Sequence, residues 1–132
     1  MKKLLFLFAL SLGLSFTVSA QKTPPPAVVT TFNQKFPGAT DVDWDKEKNG
    51  EWEAGFKLNG AEMSANFSDA GQWLETETEI AVSELPQAVR TALQGKKIKE
   101  AARIQKADGS TVYEAEVRRK DLLFDAAGKP LN

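Results

Sequence analysis

Self-similarity is what most constrains the fold of this chain. Displaced by 61 positions, the sequence superposes Pro25 on Pro86, Ala27 on Ala88, Val28 on Val89, Thr30 on Thr91, Glu53 on Glu114 and Ala54 on Ala115. Phe32 falls on Leu93. Further along, the offset drops to 57 and brings Phe67 onto Phe124, Ala70 onto Ala127, Gly71 onto Gly128 and Leu74 onto Leu131. Matches on both sides of a hairpin-length gap predict one supersecondary unit used twice, over about residues 24–80 and 84–132.

The N-terminus reads as an address. Met1-Lys2-Lys3 is a basic start, Leu4 to Leu14 is almost unbroken apolar sequence, and Val18-Ser19-Ala20 places small residues where a signal peptidase cuts. Residues 1–20 are therefore expected to be a signal peptide, with residues 21–132 forming a single domain in the periplasm or outside the cell. The apolar run is shorter than the roughly 20 residues of a membrane-spanning helix, so no stable membrane insertion is expected after cleavage. Without Lys2 and Lys3, the 17 basic side chains become 15 against 18 acidic ones, a formal charge of −3. That balance does not suit nucleic acid. The chain has no cysteine, so neither a thioether lipid anchor nor a disulfide can form and burial alone must hold the domain together.

Each half begins with a helix signal. Val28, Phe32 and Phe36 lie at helical spacing after Pro24-Pro25-Pro26, and Pro37-Gly38 ends the run; Leu85, Val89 and Leu93 repeat the stripe beside Pro86, with Gly95 as the stop. Period-two segments follow. Val42 and Trp44 alternate with aspartates; Trp52, Ala54, Phe56 and Leu58 alternate with Glu51, Glu53, Gly55 and Lys57. Asn59-Gly60 predicts a tight hairpin leading into Met63, Ala65 and Phe67. After a turn at Ser68 to Gly71, Leu74, Thr76, Thr78 and Ile80 oppose Trp73, Glu75, Glu77 and Glu79. In the second half, Ala102 to Lys106, a turn at Asp108-Gly109, Tyr113 to Val117, and Leu122 with Phe124 complete the strands.

Helix and antiparallel meander, twice, predict an α+β fold with two helices on one face of an antiparallel sheet. The other face is expected to be open and to carry Glu53, Glu75, Glu77, Glu114, Glu116 and Arg118, with Trp73 as an aromatic anchor for a partner. Folding over the sheet edge, or cover by a loop, is the competing expectation for Trp73, and core packing is the expectation for Trp44, Trp52 and Tyr113. Arg118-Arg119-Lys120 reads as a solvated hairpin tip.

These residues resemble a known family. Phe36-Pro37-Gly38-Ala39, Val42-Asp43-Trp44, Trp52-Glu53-Ala54-Gly55-Phe56, Asn59-Gly60, Ala65-Asn66-Phe67, Gly71 to Glu77 and Glu84-Leu85-Pro86 are similar to the PepSY-like family of small exported bacterial proteins, whose fold is like that of β-lactamase inhibitor proteins. The resemblance spans essentially all of residues 21–132. It implies a binding or inhibitory module, and no established functional residues come with it.

Chemistry is scarce. With no histidine and no cysteine, histidine-based triads, thiol nucleophiles and the usual zinc sites are excluded. The Ser-x-x-Lys spacing at Ser19 and Lys22 is split by the expected cleavage. No phosphate loop and no dinucleotide fingerprint is present. Carboxylates remain the only general acids and bases, and an open sheet offers them little cleft. No cofactor and no catalytic residue is expected. The expected role is a noncatalytic protein-binding or inhibitory module; the alternatives are an envelope sensor or carrier of a small ligand or ion, and a carboxylate-dependent enzyme. Asp41-Val42-Asp43-Trp44-Asp45 imitates a calcium loop, but Lys46 and Trp52 occupy the positions that need glycine and glutamate. Calorimetric titration with calcium is accordingly expected to give no heat from this run; a stoichiometric binding isotherm lost in Asp43→Asn would show otherwise.

Overall fold

The computed structural model describes residues 23–132. The expected signal peptide lies outside the described residues. Element order is α1 (Pro26–Lys35), β1 (Thr40–Lys46), β2 (Trp52–Leu58), β3 (Ala61–Phe67), β4 (Trp73–Ile80), a 3-10 turn at Val82–Glu84, α2 (Gln87–Ala92), β5 (Glu100–Lys106), β6 (Thr111–Val117) and β7 (Lys120–Phe124). All seven strands form one antiparallel sheet in sequence order, so β4 is central and pairs with both β3 and β5.

The turns follow the local chemistry. Asn59 and Gly60 have φ of 51° and 77°, the left-handed pair that a two-residue hairpin needs to match strand twist. Lys106, Asp108, Gly109 and Ser110 close the β5–β6 turn, with the Asp108 carboxylate accepting from the Ser110 amide at 2.8 Å. Arg118 and Arg119 form the β6–β7 turn with φ of 53° and 65°, a conformation that side chains other than glycine and asparagine adopt at a cost.

Both helices pack on the same side of the sheet. Cross-strand partners point to one face, and the register links Ala54 to Ala65, Ala65 to Thr76, Ile80 to Ala101 and Ala101 to Ala115. Against this face, Val28, Phe32 and Phe36 of α1 and its C-cap bury Trp52, Ala54, Phe56, Ala65 and Phe67. Phe32 is the hub, with ring centroids of Phe56, Trp44 and Phe36 at 5.0, 5.2 and 5.5 Å. Leu85, Val89 and Leu93 form the second core with Ala101, Ala115, Val117 and Phe124. The first core is aromatic and the second mostly aliphatic.

Two glycines let the helices approach. At Gly71, in the β3–β4 turn, an added Cβ would stand 2.7 Å from the Ala27 carbonyl oxygen; at Gly128, after β7, it would stand 2.5 Å from the Ala88 carbonyl oxygen. Thr31 Oγ1 donates to the Gly71 carbonyl at 2.7 Å, tying α1 to the same turn. Such contacts matter because a ten-residue helix rich in β-branched residues is marginal alone. Gly71 also has φ of 88°, so an added Cβ meets both strain and collision. Gly71→Ala is therefore expected to destabilise the fold by about 2 kcal/mol or more, read as a fall in the denaturant midpoint. Gly55→Ala, where a Cβ meets nothing within 4 Å and φ is not positive, should leave stability unchanged or raise it slightly. Equal losses from both would refute the docking role.

Candidate functional site

The face without helices is organised by register into rows. Gly55, Ser64, Glu77, Ile104 and Val112 lie side by side across β2 to β6; Glu53, Asn66, Glu75 and Lys106 form the row on one side, and Ala102, Glu114 and Leu123 the row on the other. Period-two alternation puts every one of these side chains opposite the two cores.

This face is not uniformly wet. Glu77 is 5% exposed, Ala102 2%, Ile104 7% and Val112 8%, although neither helix covers them. The helices leave these residues uncovered, so their burial comes from neighbouring strands and side chains, which a twisted seven-strand sheet brings together by curling on this side.

Glu77 is the buried carboxyl among the described residues. Its Oε1 is enclosed and has no hydrogen-bond partner. Burial pushes this carboxyl up to about 9, helped by the negative fields of Glu114, Glu53, Glu75 and Asp121. Glu53 rises to about 7 through burial and then Glu47, Asp45 and Glu75. Glu114 also rises to about 7, through burial and then Asp121, Glu116 and Glu75. At neutral pH the centre of the face thus holds a protonated Glu77 between two half-protonated carboxyls. Among the described residues, no three acids converge closely enough to hold a metal ion.

Glu53, Glu75, Glu77, Glu114 and Glu116 all stand on this face, Glu116 with Lys99 Nζ 3.4 Å from its Oε1. Trp73 does not. The pairing steps from Asn66 with Glu75 to Phe67 with Trp73, a bulge that absorbs Leu74 and turns the indole to the helix side. There Trp73 packs on the first core, donates from Nε1 to Thr76 Oγ1 at 2.8 Å, and lies under Lys35 Nζ at 3.7 Å from the ring centroid. Arg118 also leaves the face, because it is a turn residue. Sequence reasoning missed Ala102, Ile104 and Val112. Their signal was present: Ala101, Ala102 and Ile104 place small or apolar residues on both parities of one strand, the mark of a strand buried on two sides.

Residues 51–131 match the family described as "Putative beta-lactamase-inhibitor-like, PepSY-like". The chain belongs to this family. Among solved structures, a BLIP-like protein from Bacteroides fragilis is 26% identical, with 83% of this chain and 84% of that one covered at a TM-score of 0.70. A DUF2874 family protein from Bacteroides ovatus is 23% identical with a TM-score of 0.74, covering 83% and 86%. A Bacteroides eggerthii protein described among "putative periplasmic proteins" is 20% identical with a TM-score of 0.75, covering 83% and 87%. These two share the fold with this PepSY-like chain. No curated protein matches it.

The raised carboxyls give stability a definite pH dependence. Glu77 keeps its proton in the folded state up to about pH 9 but loses it near the ordinary glutamate value of 4.5 when unfolded. The folded state therefore binds more protons between these limits, and its stability falls as pH rises through that window. Glu53 and Glu114 add to the fall between 4.5 and about 7. Glu77→Gln is expected to match the native melting temperature near pH 4.5 and to exceed it at pH 8 by an amount equivalent to roughly 4 kcal/mol. Parallel melting curves for the two proteins across that range would contradict the burial of an ionisable Glu77.

Proposed function

We propose that this PepSY-like protein is a noncatalytic binding module of the periplasm or the extracellular space, and that it docks a protein partner on the sheet face its helices leave uncovered. The carrying observation is that this face is preformed: it is curled, encloses Glu77, Ala102, Ile104 and Val112 without a covering layer, and is ringed by carboxylates. A broad surface with apolar side chains beside its central carboxyls and a charged rim binds by complementarity with little backbone rearrangement. The Bacteroides fragilis BLIP-like neighbour and the family description support protein binding, and the Bacteroides eggerthii neighbour supports export. So does the basic and apolar N-terminal segment. No described helix is long and apolar enough to cross a membrane.

The same reading takes the domain as one helix-and-meander unit used twice. Supporting it, the residues that match across offsets of 61 and 57 make matching contacts: Ala27 meets Gly71 as Ala88 meets Gly128. Glu53 and Glu114 likewise flank the central strand from its two sides. A small-ligand role has its room in a hollow of about 730 Å3 at the β3, β4 and β5 ends, bordered by Glu62, Glu79, Glu84 and Arg103. Between sheet and helices, by contrast, aromatic and aliphatic side chains fill the cores.

Affinity capture from envelope extract tests the module. A partner retained by the native protein and by the helix-side control Gln94→Lys, but lost by folded Glu53→Lys/Glu114→Lys, is the expected result. Equal retention by all three would move the binding surface elsewhere, and failure of the native protein to retain anything would reject the role.

A further inference from the structure

Resting on the reading of this face as a docking surface, we infer the chemistry it recognises: an arginine side chain of the partner protein, its guanidinium set among Glu53, Glu77 and Glu114 and its aliphatic stem across Ala102, Ile104 and Val112. Charge complementarity alone would be a weak warrant. The stronger one is Glu77 Oε1, enclosed on an otherwise uncovered face with no donor from its own chain. A buried acceptor left without a donor costs the fold free energy, and a donor from outside that reaches it as the flanking carboxyl side chains swing aside recovers part of that cost.

The neighbours narrow the donor. On the strands around Glu77 the titratable groups of the same face include Glu53 and Lys57 on β2, Glu62 on β3, Glu75 and Glu79 on β4 itself, Lys106 on β5, Glu114 and Glu116 on β6 and Asp121 on β7. Seven of these nine are acids. Lys106 stands across from Glu75 at a row's end, Lys57 lies 3.2 Å from Asp41 and Lys99 3.4 Å from Glu116, so these cations stand at the margins of the array. The acids are spread over several strands and do not converge on a point, which suits neither calcium nor magnesium. A planar guanidinium with five donors can address separated carboxylates at once, and it is more weakly hydrated than an ammonium. The small and aliphatic side chains that share rows with Glu77 and Glu114 match the methylene stem that such a group carries.

A guanidinium seated here favours the ionised carboxylates, so its binding must release protons near neutrality. The probe is acetyl-Gly-Arg-Arg-Gly-amide, titrated into the purified protein and followed by NMR at the methyl groups of Ala102, Ile104 and Val112 and at the glutamate carboxyl carbons. Saturable shifts at these positions are expected, together with a fall in the Glu77 titration midpoint at saturation and affinity at least fivefold weaker in both Glu77→Gln and Glu114→Gln. The same peptide with citrulline for arginine should give no such shifts. Citrulline peptide binding equally, undiminished binding by both variants, or no shift at this face would overturn the inference. Shifts produced by spermidine or calcium but not by the peptide would reassign the site to a free amine or a metal ion. If the peptide fails while envelope capture still depends on Glu53 and Glu114, the docking surface stands and only its arginine chemistry falls.

Discussion

Two close approaches of helix backbone to turn glycine hold the architecture in register. A single antiparallel sheet has two faces and buries little unless something covers one of them. Here the cover is short: α1 has ten residues and α2 six, both too few to persist in water unaided. Seating them needs backbone contact at Ala27 with Gly71 and Ala88 with Gly128, where no side chain larger than hydrogen fits. Once seated, Val28 and Phe32, and in the second half Val89 and Leu93, occupy the hollows between strands and leave the opposite face bare.

That bareness has consequences for the whole sheet. With the helices wedged against one side, strand twist accumulates toward the other, and β4 ends at the bottom of the curl. The seven-strand order without crossover makes this possible, because neighbours in sequence remain neighbours in space and the edges stay far apart. One edge is finished by the C-terminal residues: Leu131 donates to the Leu123 carbonyl and the Asn132 side chain accepts from the Leu123 amide. Such cover removes an edge that could otherwise pair with another chain. The concave face is thus left as the large preformed surface of the fold.

Much of this arrangement was legible in residue order. Apolar stripes at Val28, Phe32 and Phe36 and at Leu85, Val89 and Leu93 marked both helix faces, and Asn59-Gly60 marked its hairpin, because helical spacing and left-handed turns have local causes. The carboxylate face was legible for the same reason, as period two assigns parity without knowledge of partners. Parity fails where the count of residues is broken. At Leu74 a bulge consumes one residue and sends Trp73 to the core, and at Arg118 the strand has already ended. The curl was invisible, since it arises from how seven strands twist together. Hence Glu77 looked like any solvent-facing glutamate.

Glu77 is where local and global requirements disagree. A serine or threonine would satisfy the same parity in the central strand, and Ser64 does so next door without introducing a charge. A carboxyl in this place raises the free energy of the folded state at neutral pH, because burial and four neighbouring acids resist its ionisation. The cores on the far side, aromatic around Phe32, are large enough to carry that cost. Departures from local consistency that a stable fold tolerates tend to sit where a protein meets something else. An acidic array with an empty acceptor at its centre is poorly matched to water or to itself; a cationic group from outside turns the same repulsion into attraction, and the strain carried by the free protein becomes a source of binding energy.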